Sequence, residues 1–363
     1  MKKRLRVAVL CGGRSAEHEV SLQSAGNVIR AMDPKKYQVL VIGIDRQGCW
    51  RLYDVERFVA SAHDPGRIRL RQTGRRVALT PGSGRFIDLG KGRALPAVDV
   101  VFPVLHGPFG EDGTVQGLLE LAGLPYVGAG VLGSAVGMDK EVMKRLLCEA
   151  RLPVADFVVL HRDRVDPAGL RAALSRLGLP LFVKPANLGS SVGVSKVKSR
   201  PQLDGALRSA FAYDHKVLLE SYVRGREIEC SVLGNDHPTA SLPGEVIPQA
   251  EFYSYRAKYI DQDGALLRAP ADLPEPVVAE VQRLSVESFQ ACCCQGMARV
   301  DLFLNPRGRL LVNEINTIPG FTAISMYPML WQASGIPYPN LIDRLIRLAL
   351  DRQRQRARLK ADI

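Results

Sequence analysis

Few segments leave a chain less freedom than ARVDLFLNPRGRLLVNEIN at 298–316. Two apolar runs flank a Pro-Arg-Gly-Arg turn, a composition that folds back on itself as an antiparallel hairpin. A two-residue loop at Arg307 and Gly308 sets a register in which Asp301 faces Glu314 and Arg299 faces Asn316. Because side chains alternate with period two, these four polar groups share one face amid Val300, Leu302, Leu311 and Ile315. Two carboxylates and an amide oxygen are the hard donors that Mg²⁺ takes when phosphates complete its octahedron, and an arginine beside them can hold developing negative charge. The residues alone leave a second reading open, a surface hairpin whose opposite charges pair across its strands.

A phosphate-binding element is legible in VKPANLGSSVGVSKV. Lys184 ends an apolar strand, Gly189 and Gly193 permit positive φ and close approach of backbone N–H groups to an anion, and Ser190 and Ser191 add hydroxyl donors. The segment reads as a flap over phosphates, with an ordinary loop as the alternative. It is not a G-x-x-x-x-G-K-[ST] loop, and CGGRSAEHE is not G-x-G-x-x-G, so neither standard nucleotide fingerprint is met.

The 363 residues suffice for two or three domains. LRVAVLCGG, KYQVLVIGI and VDVVFPVLHG read as strands alternating with helical patterns, which predicts an open, mainly parallel α/β domain over 1–127, with 61–93 as an excursion or loose hairpin. After the glycine-dense joint LPYVGAGVLGSAVGMDK, residues 128–224 predict an α+β unit built on hairpins. A third α+β unit spans 225–350, with a loop at 249–270 able to serve as a lid, and 351–363 is a basic tail. No apolar run reaches the roughly 18 residues a membrane helix needs, so a cytoplasmic enzyme without membrane attachment is expected. The seven cysteines form no metal pattern, and Cys292, Cys293 and Cys294 are consecutive, so reduced and mostly buried thiols are expected. The net charge of +12 is spread over the N-terminus, 66–76 and 344–360 without interleaved aromatics, which predicts solvated faces and no nucleic-acid partner.

Taken in order, GGRSAEHEVS, LHGPFGEDGTVQG, GMDK, VKPANLGSSVGVSKV, LLESYVRGREIE, AKYI, ARVDLF and NEINTIPGFTAISMYP resemble the D-alanine:D-alanine ligases of the ATP-grasp superfamily over nearly the whole chain. The resemblance implies an ATP-grasp fold and ATP as co-substrate. Lys140, Lys184 and Ser191 would serve the phosphates, Glu220, Ser221, Tyr222 and Val223 the adenine, and Glu227 the ribose. It makes Asp301, Glu314 and Asn316 ligands of two Mg²⁺ ions, with Mn²⁺ possible in their place. Glu17 would receive the ammonium of the first D-alanine and join Ser190 and Tyr259 in a hydrogen-bonded triad. His106 would lie near the first substrate, and Lys258 and Ser325 near the second or the transferred phosphoryl group. Arg299 and the Gly320 N–H would stabilise the oxyanion.

The implied activity is ATP-dependent joining of two D-alanine molecules through an acyl phosphate, for peptidoglycan synthesis, by a homodimer. A D-lactate or D-serine ligase is the nearest alternative, and Tyr259 in AKYI favours D-alanine. A regulator that kept the fold and lost the chemistry is an alternative of another class, against which every expected polar position carries a competent residue type.

Overall fold

Sheets of seven, four and six strands organise the computed structural model, which describes residues 4–61, 67–249 and 265–360. In the first sheet Leu5–Gly12 runs parallel to both Tyr37–Ile44 and Val100–Val104. Its Val7, Ala8, Val9 and Leu10 are fully buried, as an unbroken apolar run between two covered faces must be. Leu22, Ala25 and Val28 of the helix His18–Ala31 pack on one of those faces. The sheet does not stay parallel. Trp50–Tyr53, Arg75–Thr80, Arg85–Asp88 and Arg93–Ala94 continue it in antiparallel pairs. Part of the stretch expected as an excursion therefore contributes sheet, and the parallel portion narrows to three strands. Gly82 and Gly84, at φ +72° and +60°, turn the chain tightly enough that a hairpin forms with no crossover helix.

The four-stranded sheet is antiparallel throughout, in the order Phe157–His161, Lys216–Ser221, Leu181–Pro185, Ser195–Val197. The helices Pro167–Leu177 and Arg200–Phe211 cover it with Ala173, Leu177, Leu203 and Leu207. Both begin on sequence signals: Asp166 accepts from the N–H groups of Ala168 and Gly169, and Ser199 with Gln202 forms a capping box.

The six-stranded sheet is also antiparallel and holds the 298–316 hairpin. Helix Glu275–Ala291 packs Val281, Leu284 and Phe289 in one cluster with Val300 and Leu302, so the alternate residues of that strand face the opposite way. Arg299 pairs with Asn316 and Asp301 with Glu314, as the sequence leads one to expect. The turn differs. Asn305 bonds Arg309 across a three-residue loop, Gly308 takes φ +76°, and Leu304 pairs with Leu310. That register is one residue out of step with the expected one, and a bulge between Asp301 and Leu302 and their partners, at Asn313, restores it.

The C-terminal segments return to the first sheet. Phe321, Tyr327, Trp331, Leu341 and Leu345 share one buried cluster with Val7, Val9 and Phe102, and Phe102 meets Phe321 edge-on at 6.0 Å between ring centroids. Helix Tyr338–Arg356 carries Arg352, which is buried, lies over the Tyr126 ring, and donates to the carbonyls of Tyr126 and Gly128 at 2.6 and 2.5 Å. At least one arginine of the stretch read as a solvated face is thus an internal brace. The cysteines follow expectation: Cys11, Cys230, Cys292 and Cys294 are buried, and burial pushes the Cys11 and Cys292 thiols up to about 12.

Candidate active site

The four-stranded sheet and the six-stranded sheet enclose a cavity of about 410 Å³. Phe182, Tyr222, Val246 and Phe303 give it apolar walls, while Lys140, Lys184, Ser190, Ser191, Glu227 and Glu314 supply polar groups. This is the composition of a site for a flat heterocycle bearing a charged tail. Ser221 and Val223 also line it, but the Ser221 hydroxyl donates to the Leu177 carbonyl, which leaves the strand backbone as its contribution.

Lysine ammonium groups gather at the polar end. Lys184 Nζ lies 2.7 Å from Glu220 Oε1 and 3.4 Å from Asn313 Oδ1, and Lys144 Nζ lies 2.9 Å from Glu220 Oε2. Glu220, although on the cavity wall, is 1% exposed. Burial alone would raise its pKa, yet Lys144 and Lys184 bring it down to about 2. Lys144 is lowered by desolvation, with the Glu220 carboxylate opposing. Lys140 donates to the Leu188 carbonyl at 2.5 Å and stands 3.7 Å from Glu314 Oε2, so it joins the flap to the hairpin. In the flap Ser190 and Ser191 both take positive φ, at 51° and 59°, and Gly193 takes 72°. Successive left-handed residues turn backbone N–H groups toward one concave side, where an anion can sit.

A second cavity of about 90 Å³ adjoins the first and shares Gly189, Ser190, Val246 and Glu314 with it. Its other walls include Glu17, His106, Glu111, Arg299, Asn316, Gly320 and Ser325. Glu17 stands at the N-cap position of the first helix without capping it, and its Oε1 accepts from the Ser190 hydroxyl. The helix start positions the carboxylate and the flap uses it. Gly107 makes room: at φ +73°, a Cβ there would lie 2.6 Å from Glu17 Oε2.

Arg299 donates from Nε and Nη2 to the two oxygens of Asp301, each at 2.7 Å, and its Nε is 3.0 Å from Glu229 Oε2. Asn316 Nδ2 donates to Asp301 Oδ2 at 3.0 Å, which turns its amide oxygen away from that carboxylate. Among the described residues no three His, Cys, Asp or Glu side chains converge as a metal cage. Two carboxylates and an amide fit a divalent cation whose remaining ligands come from phosphates, so the donor set passes the chemical test for Mg²⁺.

His106 lines the small cavity but both its ring nitrogens are engaged. Nδ1 is 2.9 Å from the Ile318 carbonyl, which can only accept, so Nδ1 carries the proton. Nε2 then accepts from the Ser24 hydroxyl at 3.1 Å. Burial lowers the pKa of this histidine, in keeping with a neutral ring. Ser325 Oγ accepts from the Thr322 N–H at 2.9 Å and lies 2.7 Å from Thr322 Oγ1, fastening the loop that holds Gly320. The expectations for Lys258, Tyr259 and most of the 249–270 lid lie outside the described residues.

Glu111, Lys144, Glu229 and Asn313 are among the site residues that escape the sequence reading. Lys144 stands four residues after Lys140 on one helix, which places both on one face, so KEVMK carries a readable signal for it. Glu229 is two residues after Glu227 in REIEC and points the same way from the strand.

Comparison with known proteins adds to this geometry. A family model described as D-ala D-ala ligase N-terminus matches residues 6–129, and one described as D-ala D-ala ligase C-terminus matches residues 146–347. The chain is 54% identical over 353 residues to D-alanine–D-alanine ligase A of Chromobacterium violaceum, covering 97% of this chain and 96% of that one. It is 51% identical over 352 residues to D-alanine–D-alanine ligase A of Escherichia coli K12, covering 96% and 97%. Among solved structures, the D-alanine-D-alanine ligase from Coxiella burnetii has a TM-score of 0.86 at 42% identity, covering 98% of this chain and 96% of its own. The VanG D-Ala:D-Ser ligase from Enterococcus faecalis has a TM-score of 0.84 at 34% identity, covering 96% and 100%.

Proposed function

We propose, on the premise that the chain belongs to the D-alanine–D-alanine ligase family, that it is an ATP-dependent ligase joining two D-alanine molecules into D-alanyl-D-alanine for peptidoglycan synthesis. Its fold is the ATP-grasp fold of that family. The observation that carries the reading is the junction of the two cavities, lined from one side by the flap and from the other by Glu314. The large cavity accepts ATP, with the adenine between Phe182, Tyr222 and Phe303, the ribose toward Glu227, and the phosphates toward Lys140, Lys184, Ser191 and the flap N–H groups. The small cavity accepts the amino acids, whose γ-phosphate partner then lies at the shared wall.

In the small cavity the Glu17 carboxylate receives the ammonium of the first D-alanine, whose own carboxylate is left facing the phosphates. That carboxylate attacks the γ-phosphorus, ADP leaves, and an acyl phosphate forms. The amine of the second D-alanine, having lost a proton, attacks the carbonyl carbon, and the tetrahedral intermediate expels phosphate to leave the amide. Arg299 and the Gly320 N–H face the oxygen that becomes negative at that step. Among the described residues the Gly320 N–H has no acceptor of its own. Asp301, Glu314 and Asn316 would hold Mg²⁺ or Mn²⁺, which supplies positive charge against the crowded phosphates. Enclosure between the sheets keeps water from the acyl phosphate.

Product analysis with ATP and D-alanine, alone and in competition with D-serine or D-lactate, tests the reading. D-alanyl-D-alanine is expected as the main product, with phosphate release dependent on D-alanine. A mixed product that predominates at neutral pH would move the chain to the D-serine or D-lactate class, and the absence of turnover would leave only a nucleotide-binding role. The cation assignment has its own check. Glu314→Gln should raise the Mg²⁺ or Mn²⁺ concentration needed for half-maximal rate by about tenfold or more, since one charged oxygen donor is lost. An unchanged requirement would remove Glu314 from the ligand set.

A further inference from the structure

We propose that Glu111 is a positioning residue that sets the aim of the Gly320 N–H by gripping the loop 317–321 from the first domain. Glu111 Oε1 accepts from the Ile318 N–H at 2.9 Å, and Oε2 accepts from the Gly107 N–H at 2.7 Å. One carboxylate therefore ties together two loops that meet only through the fold. It does not act alone. His106 Nδ1 donates to the Ile318 carbonyl, so both polar groups of that peptide unit's residue are held from the first domain. Ser24 Oγ accepts from the Phe321 N–H at 3.1 Å, and Asn27 Nδ2 donates to the Phe321 carbonyl at 3.1 Å. Gly320 sits between two residues whose backbone groups are fixed from outside the loop.

A glycine-bearing loop left to itself samples many orientations, and an N–H must lie within a few tenths of an ångström of its place to stabilise charge that exists only in the transition state. Glu111 is the member of the clamp that holds two loops at once, because each of its oxygens accepts from a backbone N–H. It also lines the cavity beside Glu17, and burial next to that second carboxylate pushes it up to about 8, so the pair favours a cationic occupant such as a substrate ammonium.

The inference rests on Gly320 N–H acting on the tetrahedral intermediate, and the test separates the two. In Glu111→Gln one acceptor is retained and the other becomes an NH₂ that cannot accept. Phosphoryl transfer from ATP still yields the acyl phosphate, but amine attack slows, and water then cleaves the acyl phosphate to D-alanine and phosphate. The expected result is a kcat for dipeptide lowered about 10- to 100-fold, an ATP KM within about twofold of the parent, and more than one ADP released per dipeptide. A role in folding alone would lower ADP and dipeptide together, in proportion to the folded fraction measured by circular dichroism, and that result, like unchanged kinetics, overturns the proposal. If Glu111→Gln does not fold, Glu111→Asp decides in its place: it keeps a carboxyl but shortens its reach to Ile318, so the same excess of ADP over dipeptide is expected, and unchanged kinetics or a proportional loss of both overturns the proposal. A parent enzyme that makes no dipeptide would instead sink the ligase reading.

Discussion

Arg299→Met is expected to lower kcat for dipeptide formation about 10²- to 10³-fold while leaving the KM for ATP nearly unchanged. The guanidinium lines the small cavity beside Gly320 and not the larger cavity proposed for ATP, so its loss should be felt where negative charge develops on the substrate carbonyl. Its plane is fixed by the two-point bond to Asp301 and by Glu229, which leaves no reorganisation to be done as the charge appears. Methionine keeps much of the length and removes the charge. Arg299→Lys keeps the charge and loses the fork, so it should fall between the two. Steady-state kinetics over ATP and D-alanine read this out. A raised ATP KM at unchanged kcat would mean that Arg299 serves ground-state nucleotide binding. Because Asp301 and Glu229 lose their cation, a thermal melt belongs beside the kinetics, and a loss of activity that merely tracks unfolding would remove the catalytic assignment.

The hairpin that carries Arg299 shows how far sequence reasoning reaches. Alternation and the turn composition placed four polar groups on one face, and the pairs 299/316 and 301/314 are those in the structure. The expected loop length was nevertheless wrong by one residue, and the bulge at Asn313 compensates. No residue type marks a bulge there, and its effect is to bring both Asn313 and Glu314 to the wall of the larger cavity, where strict alternation would admit one. The same limit applies to contacts between distant segments. Glu111 meets Ile318 across 207 residues and Ser190 meets Glu17 across 173, distances over which no local pattern operates. The second of these was reached only through family resemblance. The hairpin open as one reading of 61–93 is present, but its joining the first sheet was missed for a different reason. RRVALT and RFID are short segments broken by charged residues, and such strands form because the neighbours on both sides offer hydrogen bonds, not because their own pattern demands it.

The largest effect on stability is expected from Lys144→Ala, which should destabilise the central part of the molecule by about 3 kcal/mol, the lower end of the roughly 3–5 kcal/mol seen when one partner of a buried ion pair is removed. The lower end applies because Glu220 keeps Lys184 at 2.7 Å. Neither member of the pair can turn to water: the side chains of Lys144 and Glu220 are 1% and 2% exposed. For a unit of about a hundred residues the midpoint of thermal unfolding should drop by about 12–24 °C, followed through the transition that carries the four-stranded sheet. The acid limb gives an independent sign. Glu220 titrates at about 2 when folded against an ordinary value of 4.5, so its ionised form contributes stability that is fully present above pH 4.5 and is lost as pH falls toward 2. Removing Lys144 takes away the stronger of the two lysines that depress that value, so the folded pKa rises and the stability gained between pH 2 and 4.5 shrinks. The difference in midpoint between parent and variant should therefore be widest above pH 4.5 and close as the solution is acidified. A difference that stays constant with pH would mean that Lys144 acts through packing of its methylene chain and not through its charge on Glu220.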